Sequence, residues 1–233
     1  MSGSNFQFFQ LFEHESSTYT YLLMDSESKE AIIIDPVSET FERDFRLIEE
    51  LGAKLKYVLE THVHADHVTG AGKLREKTSC KVCVGSGAKI SCADILLEDS
   101  QELSFGSFKI KALSTPGHTD GCTSYYCEGR VFTGDALLIR ACGRTDFQQG
   151  SSARLYDSIH QKLFSLPEET IVYPAHDYKG VTSSSIGLEK KFNLRLGGGK
   201  TKEDFVKIMS ELKLSPPKKI EIAVPANLLC GQG

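Results

Sequence analysis

The chain has 233 residues, 40% of them hydrophobic and 25% charged, with a formal net charge of −4 and Lys and Arg scattered along its length. That balance suits a soluble globular protein with a sizeable core, and the length suits one large domain over 1–233. It argues against nucleic acid or an anionic membrane as the main partner, since both need a positive footprint, and no apolar run approaches the roughly 20 residues that cross a bilayer.

The start, MSGSNFQFFQLFE, lacks the basic beginning and apolar block of a signal peptide. The reading is a cytoplasmic protein, or a mitochondrial matrix protein if a transit peptide has been removed. FQFFQLFE (6–13), TYTYLLMD (18–25) and EAIIIDP (30–36) are rich in aromatic and β-branched residues and read as strands. A helix follows, with Ser38 placed to cap it, Phe41, Phe45, Ile48 and Leu51 at helical spacing, and Gly52 stopping it. KLKYVLE (54–60) is the next strand, and CKVCVG further on reads as a short one.

The second half repeats that order. ELSFGSFKIKALSTPGH gives two short strands around a glycine turn, and TSYYCEGRVFTGD a hairpin turning at Glu128–Gly129. A helix with Leu155, Ile159, Leu163 and Phe164 on one side precedes the strand TIVYPAHD. A last helix near Lys202–Leu212 leads into a coil-like tail, PPKKIEIAVPANLLCGQG, the two making up the segment 200–233. Two similar β-rich halves with helices outside suggest sheet packed on sheet between helical layers.

Seven cysteines at irregular spacings fit reduced thiols better than a disulfide framework. Cys80 and Cys83 form C-x-x-C without a second Cys/His pair at zinc-finger spacing, and read as buried packing thiols.

The chemistry gathers where strands run into loops. Directly after residue 60 comes THVHADHVTG, in which His62, His64, Asp66 and His67 fall within six consecutive positions of a chain that has seven histidines. A solvated polar loop rarely has that composition, whereas metal ions bind neutral imidazole and carboxylate when the ligand loops hang from rigid elements. His118 in TPGH, Asp135 in TGD, and His176 and Asp177 in PAHD lie at three more strand ends, so four loops converge on one edge of the sandwich. Gly70, Gly117 and Gly134 let the backbone pass close to that edge. His14 and His160 read as ordinary surface or helix histidines.

T-H-x-H-x-D-H followed by P-G-H, G-D and a late A-H resembles the motif set of the metallo-β-lactamase superfamily, over roughly residues 7–180. The fold this implies is α/β, a four-layer αββα sandwich. Within the superfamily, TGDALLIRACGRTDFQQG (133–150), YPAHDYKG (173–180), NLRL (193–196) and VPANLLCG (224–231) are similar to the persulfide dioxygenase family. That resemblance implies oxidation of glutathione persulfide with O2 and water to sulfite and glutathione in hydrogen sulfide catabolism, at one non-haem Fe(II) per chain. Its iron ligands fall on His62, His118 and Asp135, the two-imidazole, one-carboxylate set of non-haem iron oxygenases. His64, Asp66, His67 and His176 match residues that hold metal in two-metal relatives; here they line a vacant second position or orient the ligands. The ligand types alone leave two zinc ions open.

Arg144, Tyr178 and, more weakly, Arg195 match positions near the family's active site, for site organisation or glutathione contact. An arginine fork suits a glutathione carboxylate, although Arg144 equally suits an ion pair with Asp146. Cys142 matches a cysteine near the site and reads as either a packing thiol or a substrate contact; Cys230 matches too, with no chemistry to assign. Any sulfurtransferase that supplies persulfide is a separate protein, and a homodimer is expected by analogy. The main rival is a glyoxalase II-type hydroxyacylglutathione hydrolase, whose two-metal ligand set is complete here, although its longer C-terminal helical region is not matched. A metal-binding module without turnover is the reading from a different class.

Overall fold

A computed structural model describes residues 5–217 and 219–231. Two six-stranded sheets divide the chain at its middle. The first contains β1 (Phe6–Glu13), β2 (Thr18–Asp25), β3 (Glu30–Ile34), β4 (Lys54–Glu60), β5 (Lys81–Gly85) and β6 (Ile95–Leu97), in that spatial order. The second contains β7 (Glu102–Phe105), β8 (Phe108–Ser114), β9 (Thr123–Cys127), β10 (Arg130–Gly134), β11 (Ile171–Pro174) and β12 (Ser184–Ser185), also in sequence order across the sheet. Pairing is antiparallel except along β3–β4–β5–β6 and between β10 and β11. Those parallel pairs need crossovers, and α1 (Phe41–Glu50), α2 (Ala71–Thr78) and α3 (Ser152–Ser158) supply helices to them. The remaining α-helices among the described residues are α4 (Ile186–Phe192), α5 (Lys202–Glu211) and α6 (Ile220–Asn227), and α3 continues as a π-helix over Ile159–Leu163.

Side chains alternate along each strand, so neighbours serve different layers. Tyr21, Leu23, Ile32 and Ile34 face Phe105, Ile110, Tyr125 and Phe132 of the second sheet and form the central core. Leu22, Met24, Ala31 and Ile33 point the other way, against Phe41 and Ile48 of α1 and Ala71 and Leu74 of α2. Val131 and Val172 bury the outer face of the second sheet against Leu155, Ile186, Phe205 and Met209. This is the αββα sandwich. Glu128 and Gly129 both have positive φ, 47° and 70°, as the tight hairpin expected there requires. No helix among the described residues is long and apolar enough to cross a membrane.

Four details depart from the sequence reading. Ser38 does not cap α1; it opens a 3-10 turn over Ser38–Thr40, and no side chain caps α1 at Thr40. α2 and α4 are additional helices, each with few apolar positions to reveal it. The tail is not coil: α6 forms in spite of Pro225, because Ala223 and Asn227 are buried beneath it. Cys92 and Cys230 form a disulfide across 138 residues of sequence, with Cα atoms 6.0 Å apart, so the expectation of reduced thiols holds only for the other five cysteines. Docking of α6 beside the residue 90 loop creates that pair, which sequence spacing does not express.

Candidate metal centre

The ligand loop begins where β4 ends. Asp35, at the end of β3 with φ +50°, accepts from the Thr61 N–H at 2.7 Å and the Thr61 hydroxyl at 2.8 Å. The Thr61 hydroxyl proton is thereby used, so its oxygen accepts from His62 Nδ1 at 2.9 Å. His62 is left with Nε2 as its ligand atom. His118 reaches the same state by another route: Nδ1 donates to the Arg144 carbonyl at 2.6 Å. Its Nε2 lies 3.7 Å from Asp135 Oδ2. The ligand atoms of His62, His118 and Asp135 all lie within 4.8 Å of one another. Two close approaches make this possible. A Cβ on Gly134 would stand 2.6 Å from the Thr61 Cβ, and one on Gly143 would stand 2.8 Å from His118 Nδ1.

The electrostatics favour a cation at that point. Burial, with His64 beside it, drives the His62 pKa well below its ordinary value, so the ring is neutral and its lone pair available. Burial opposes ionisation of Asp135, but His176, with His118 and His62, outweighs it and holds the carboxyl well below the usual carboxylate range. Two imidazoles with hydrogen-bonded Nδ1 atoms and one carboxylate held low fit a divalent metal with open positions.

His64, Asp66, His67 and His176 lie beside this group, in a different state. His176 Nδ1 is 2.6 Å from Asp135 Oδ1 and its Nε2 is 2.9 Å from Asp66 Oδ2. Burial disfavours its charge, yet Asp135 and Asp66 raise its pKa well above the ordinary value. Each of its nitrogens thus has a carboxylate partner. Asp66 is held low mainly by that same ring against the cost of burial. Asp66 Oδ2 also meets His67 Nδ1 at 3.0 Å, and the Thr18 hydroxyl sits 3.1 Å from His176 Nε2. His64 faces inward: its Nε2 is 3.2 Å from Asp35 Oδ1 and 3.5 Å from Glu60 Oε2. Burial works against its charge, but Asp35, with Asp66 and Glu60, pushes its pKa up to about 9. Asp35, Glu60 and His64 form a further buried group of ligand type.

A cleft of about 790 Å³ opens over His62, His118, Asp135 and His176. Arg144 spans its wall: Nε and Nη2 bind the two Asp146 oxygens at 2.7 and 2.8 Å, and Nη1 binds the Ser215 carbonyl at 2.7 Å. The ion pair with Asp146 that the sequence suggested is therefore present. Tyr178 is 73% exposed, with its ring parallel to His176 at 6.1 Å. Arg195 Nη1 donates to the Cys142 carbonyl at 2.7 Å. Cys142 lines the cleft but is buried, its sulfur 3.7 Å from Met209 Sδ. Asp177 serves the turn after β11, accepting from the Lys179 and Val181 N–H groups. His160 stacks on Tyr156 at 3.8 Å and His14 edges onto Phe12, as ordinary histidines. Sequence reasoning missed Thr18, Asp35, Glu60, Lys179 and Lys219; Asp35 and Glu60, acids at the ends of apolar strands, carried a visible signal.

Residues 15–176 match the family model described as the metallo-beta-lactamase superfamily. The chain is 49% identical to human "Persulfide dioxygenase ETHE1, mitochondrial", over 99% of this chain and 91% of that protein. It superposes on the crystal structure of ETHE1 from Myxococcus xanthus with a TM-score of 0.94, at 50% identity, covering 97% of this chain and all of that one. The chain belongs to the persulfide dioxygenase family of the metallo-β-lactamase superfamily. By contrast, the cytoplasmic hydroxyacylglutathione hydrolase of Arabidopsis thaliana is 36% identical over 69% of this chain and 64% of its own length. The dioxygenase likeness thus covers nearly the whole chain, and this hydrolase likeness about two thirds of it.

Proposed function

We propose that this enzyme oxidises glutathione persulfide with O2 and water to sulfite, glutathione and two protons, at one Fe(II) held by His62, His118 and Asp135. What supports the single-metal reading is the near full-length likeness to persulfide dioxygenases; His176, hydrogen-bonded between Asp66 and Asp135 through both nitrogens, sits beside that site. Iron bound there supplies the one-electron and O2 chemistry that side chains lack. Asp135 divides its carboxylate, with one oxygen toward His118 and the other held by His176. The Arg144 carbonyl fixes the His118 tautomer, and the Arg144 guanidinium ties that loop to Leu214 and Ser215.

Tyr178, with Arg195 and Lys179 on the cleft wall, is placed to orient the glutathione part, whose carboxylates suit cationic partners. Positioning the persulfide and O2 together is the protein's contribution to rate. The Cys142 thiol stays protonated, its pKa pushed up to about 11 by burial, which supports packing over nucleophilic use. The reading includes a homodimer, a separate sulfurtransferase as persulfide source, and a cytoplasmic or mitochondrial matrix location.

The test is product stoichiometry. One O2 consumed and one sulfite formed per glutathione persulfide, with no hydrolysis of an acylglutathione, is the expected result. Thioester hydrolysis without O2 uptake would replace this reading with the two-metal hydrolase.

A further inference from the structure

Residues 61–70 bear four ligand-type side chains, yet the segment is neither helix nor named strand. Its backbone groups therefore need partners from outside, because buried N–H and C=O groups are costly when unpaired. Gln148 supplies one, donating to the Val63 carbonyl at 2.9 Å. Asn227 supplies three. Its Nδ2 donates to the carbonyls of His64 and His67, each at 2.9 Å, and its Oδ1 accepts from the Thr69 N–H at 2.8 Å. Only a primary amide offers two donors and an acceptor in one plane. The side chain is 5% exposed, so water is no ready substitute.

Asn227 is the last residue of α6, an eight-residue helix interrupted by Pro225. Such a helix is marginal alone and depends on its anchors. Three residues on, Cys230 is bonded to Cys92, and the Cys230 carbonyl accepts from the Gly72 N–H at 2.9 Å. Gly231, at φ +74°, passes so close that a Cβ there would stand 2.2 Å from the Thr69 carbonyl oxygen. Residues 227–231 are thus fastened to the loop that carries the ligands and to the start of α2.

We propose that Asn227 is a positioning residue for the metal centre, holding the His62–His67 loop in its ligating shape through three backbone hydrogen bonds, and that the Cys92–Cys230 disulfide keeps Asn227 in place. The inference rests on the proposed function only in taking that loop as a metal centre; it does not depend on which metal or reaction is involved.

Full-length Asn227→Ala and Cys92→Ser test it, read by Fe(II) affinity in anaerobic competition with a chromophoric chelator and by the visible spectrum of the Co(II)-loaded protein. Thermal unfolding of the metal-free forms is recorded alongside. Asn227→Ala is expected to weaken metal binding about 10- to 100-fold, the range for groups that orient ligands, and to change the Co(II) spectrum. Cys92→Ser is expected to move both in the same direction by less. If Asn227→Ala fails to fold, Asn227→Asp replaces it, since it keeps the acceptor for Thr69 but sets an oxygen against two carbonyls. Variants that unfold at lower temperature yet keep wild-type affinity and spectrum would overturn the proposal. That result in a protein that still oxidises persulfide leaves the function standing. A wild type that hydrolyses thioesters, with metal binding weakened by Asn227→Ala, would overturn the function and support the positioning role.

Discussion

Two sets of identical residue types share one cleft and do different work. His62, His118 and Asp135 spend bonds on the Thr61 hydroxyl, the Arg144 carbonyl and His176, and their ligand atoms lie within 4.8 Å of one another. Asp66, His67 and His176 spend theirs on one another and on Thr18. The sets differ most at His176, which meets a carboxylate through each nitrogen, whereas His67 Nε2 is buried without a hydrogen-bond partner. At His176, Asp135 and Asp66 raise the pKa well above its ordinary value against the effect of burial.

The largest expected effect comes from the first set. His62→Ala or Asp135→Ala should lose metal by well over the roughly 100-fold that ligand-orienting residues account for, and O2 uptake with it; metal analysis on gel-filtered protein checks this. His176→Ala should be milder, with metal retained and affinity or turnover lowered about 10- to 100-fold. Should His176→Ala empty the site as Asp135→Ala does, His176 belongs with the ligands and the contrast fails.

Arg144→Ala removes a bidentate pair with Asp146 and two ties to Leu214 and Ser215. Hydrogen bonds to charged groups are worth about 1.5–3 kcal/mol each, so kcat/KM should fall about 10- to 100-fold even where only one of them counts. Arg144→Lys should not restore it, because an ammonium cannot form the fork. The smallest effect concerns the cleft's own thiol. Burial pushes Cys142 up to about 11, and Cys83, Cys122 and Cys127 up to about 12. A raised thiol pKa means less thiolate at a given pH, so at pH 8 only about one Cys142 in 1,000 is ionised. Iodoacetamide should leave the folded protein unlabelled at pH 8, with labelling that rises as pH approaches 11; prompt labelling of Cys142 at pH 8 would give it a chemical role.

Much of this was readable before any coordinates. Strands such as TYTYLLMD and EAIII declare themselves by β-branched and aromatic content, and every metal-type residue of the four loops lies in the cleft or directly behind it, apart from Asp177. Local signals failed where tertiary contacts decide. AGKLREKT in α2 has little apolar periodicity, and Pro225 disguises α6, which exists because Ala223 and Asn227 find a buried seat. Asn227 acts on the carbonyls of residues 160 and 163 positions away, and Cys92 pairs across 138 positions. Neither relation leaves a trace in spacing. The contacts of His176 were equally hidden, since its identity fits a ligand and sequence spacing does not show the two carboxylates beside it.

The central claim, one metal in a cleft with ligand-type residues for two, is tested most directly by metal content and ligand identity in anaerobically purified protein. The account predicts about one iron per chain, bound by two imidazoles and with His176 still protonated by NMR of the diamagnetic Zn(II)-substituted form. Two metal ions per chain, with His176 deprotonated and bound to the second, would contradict it.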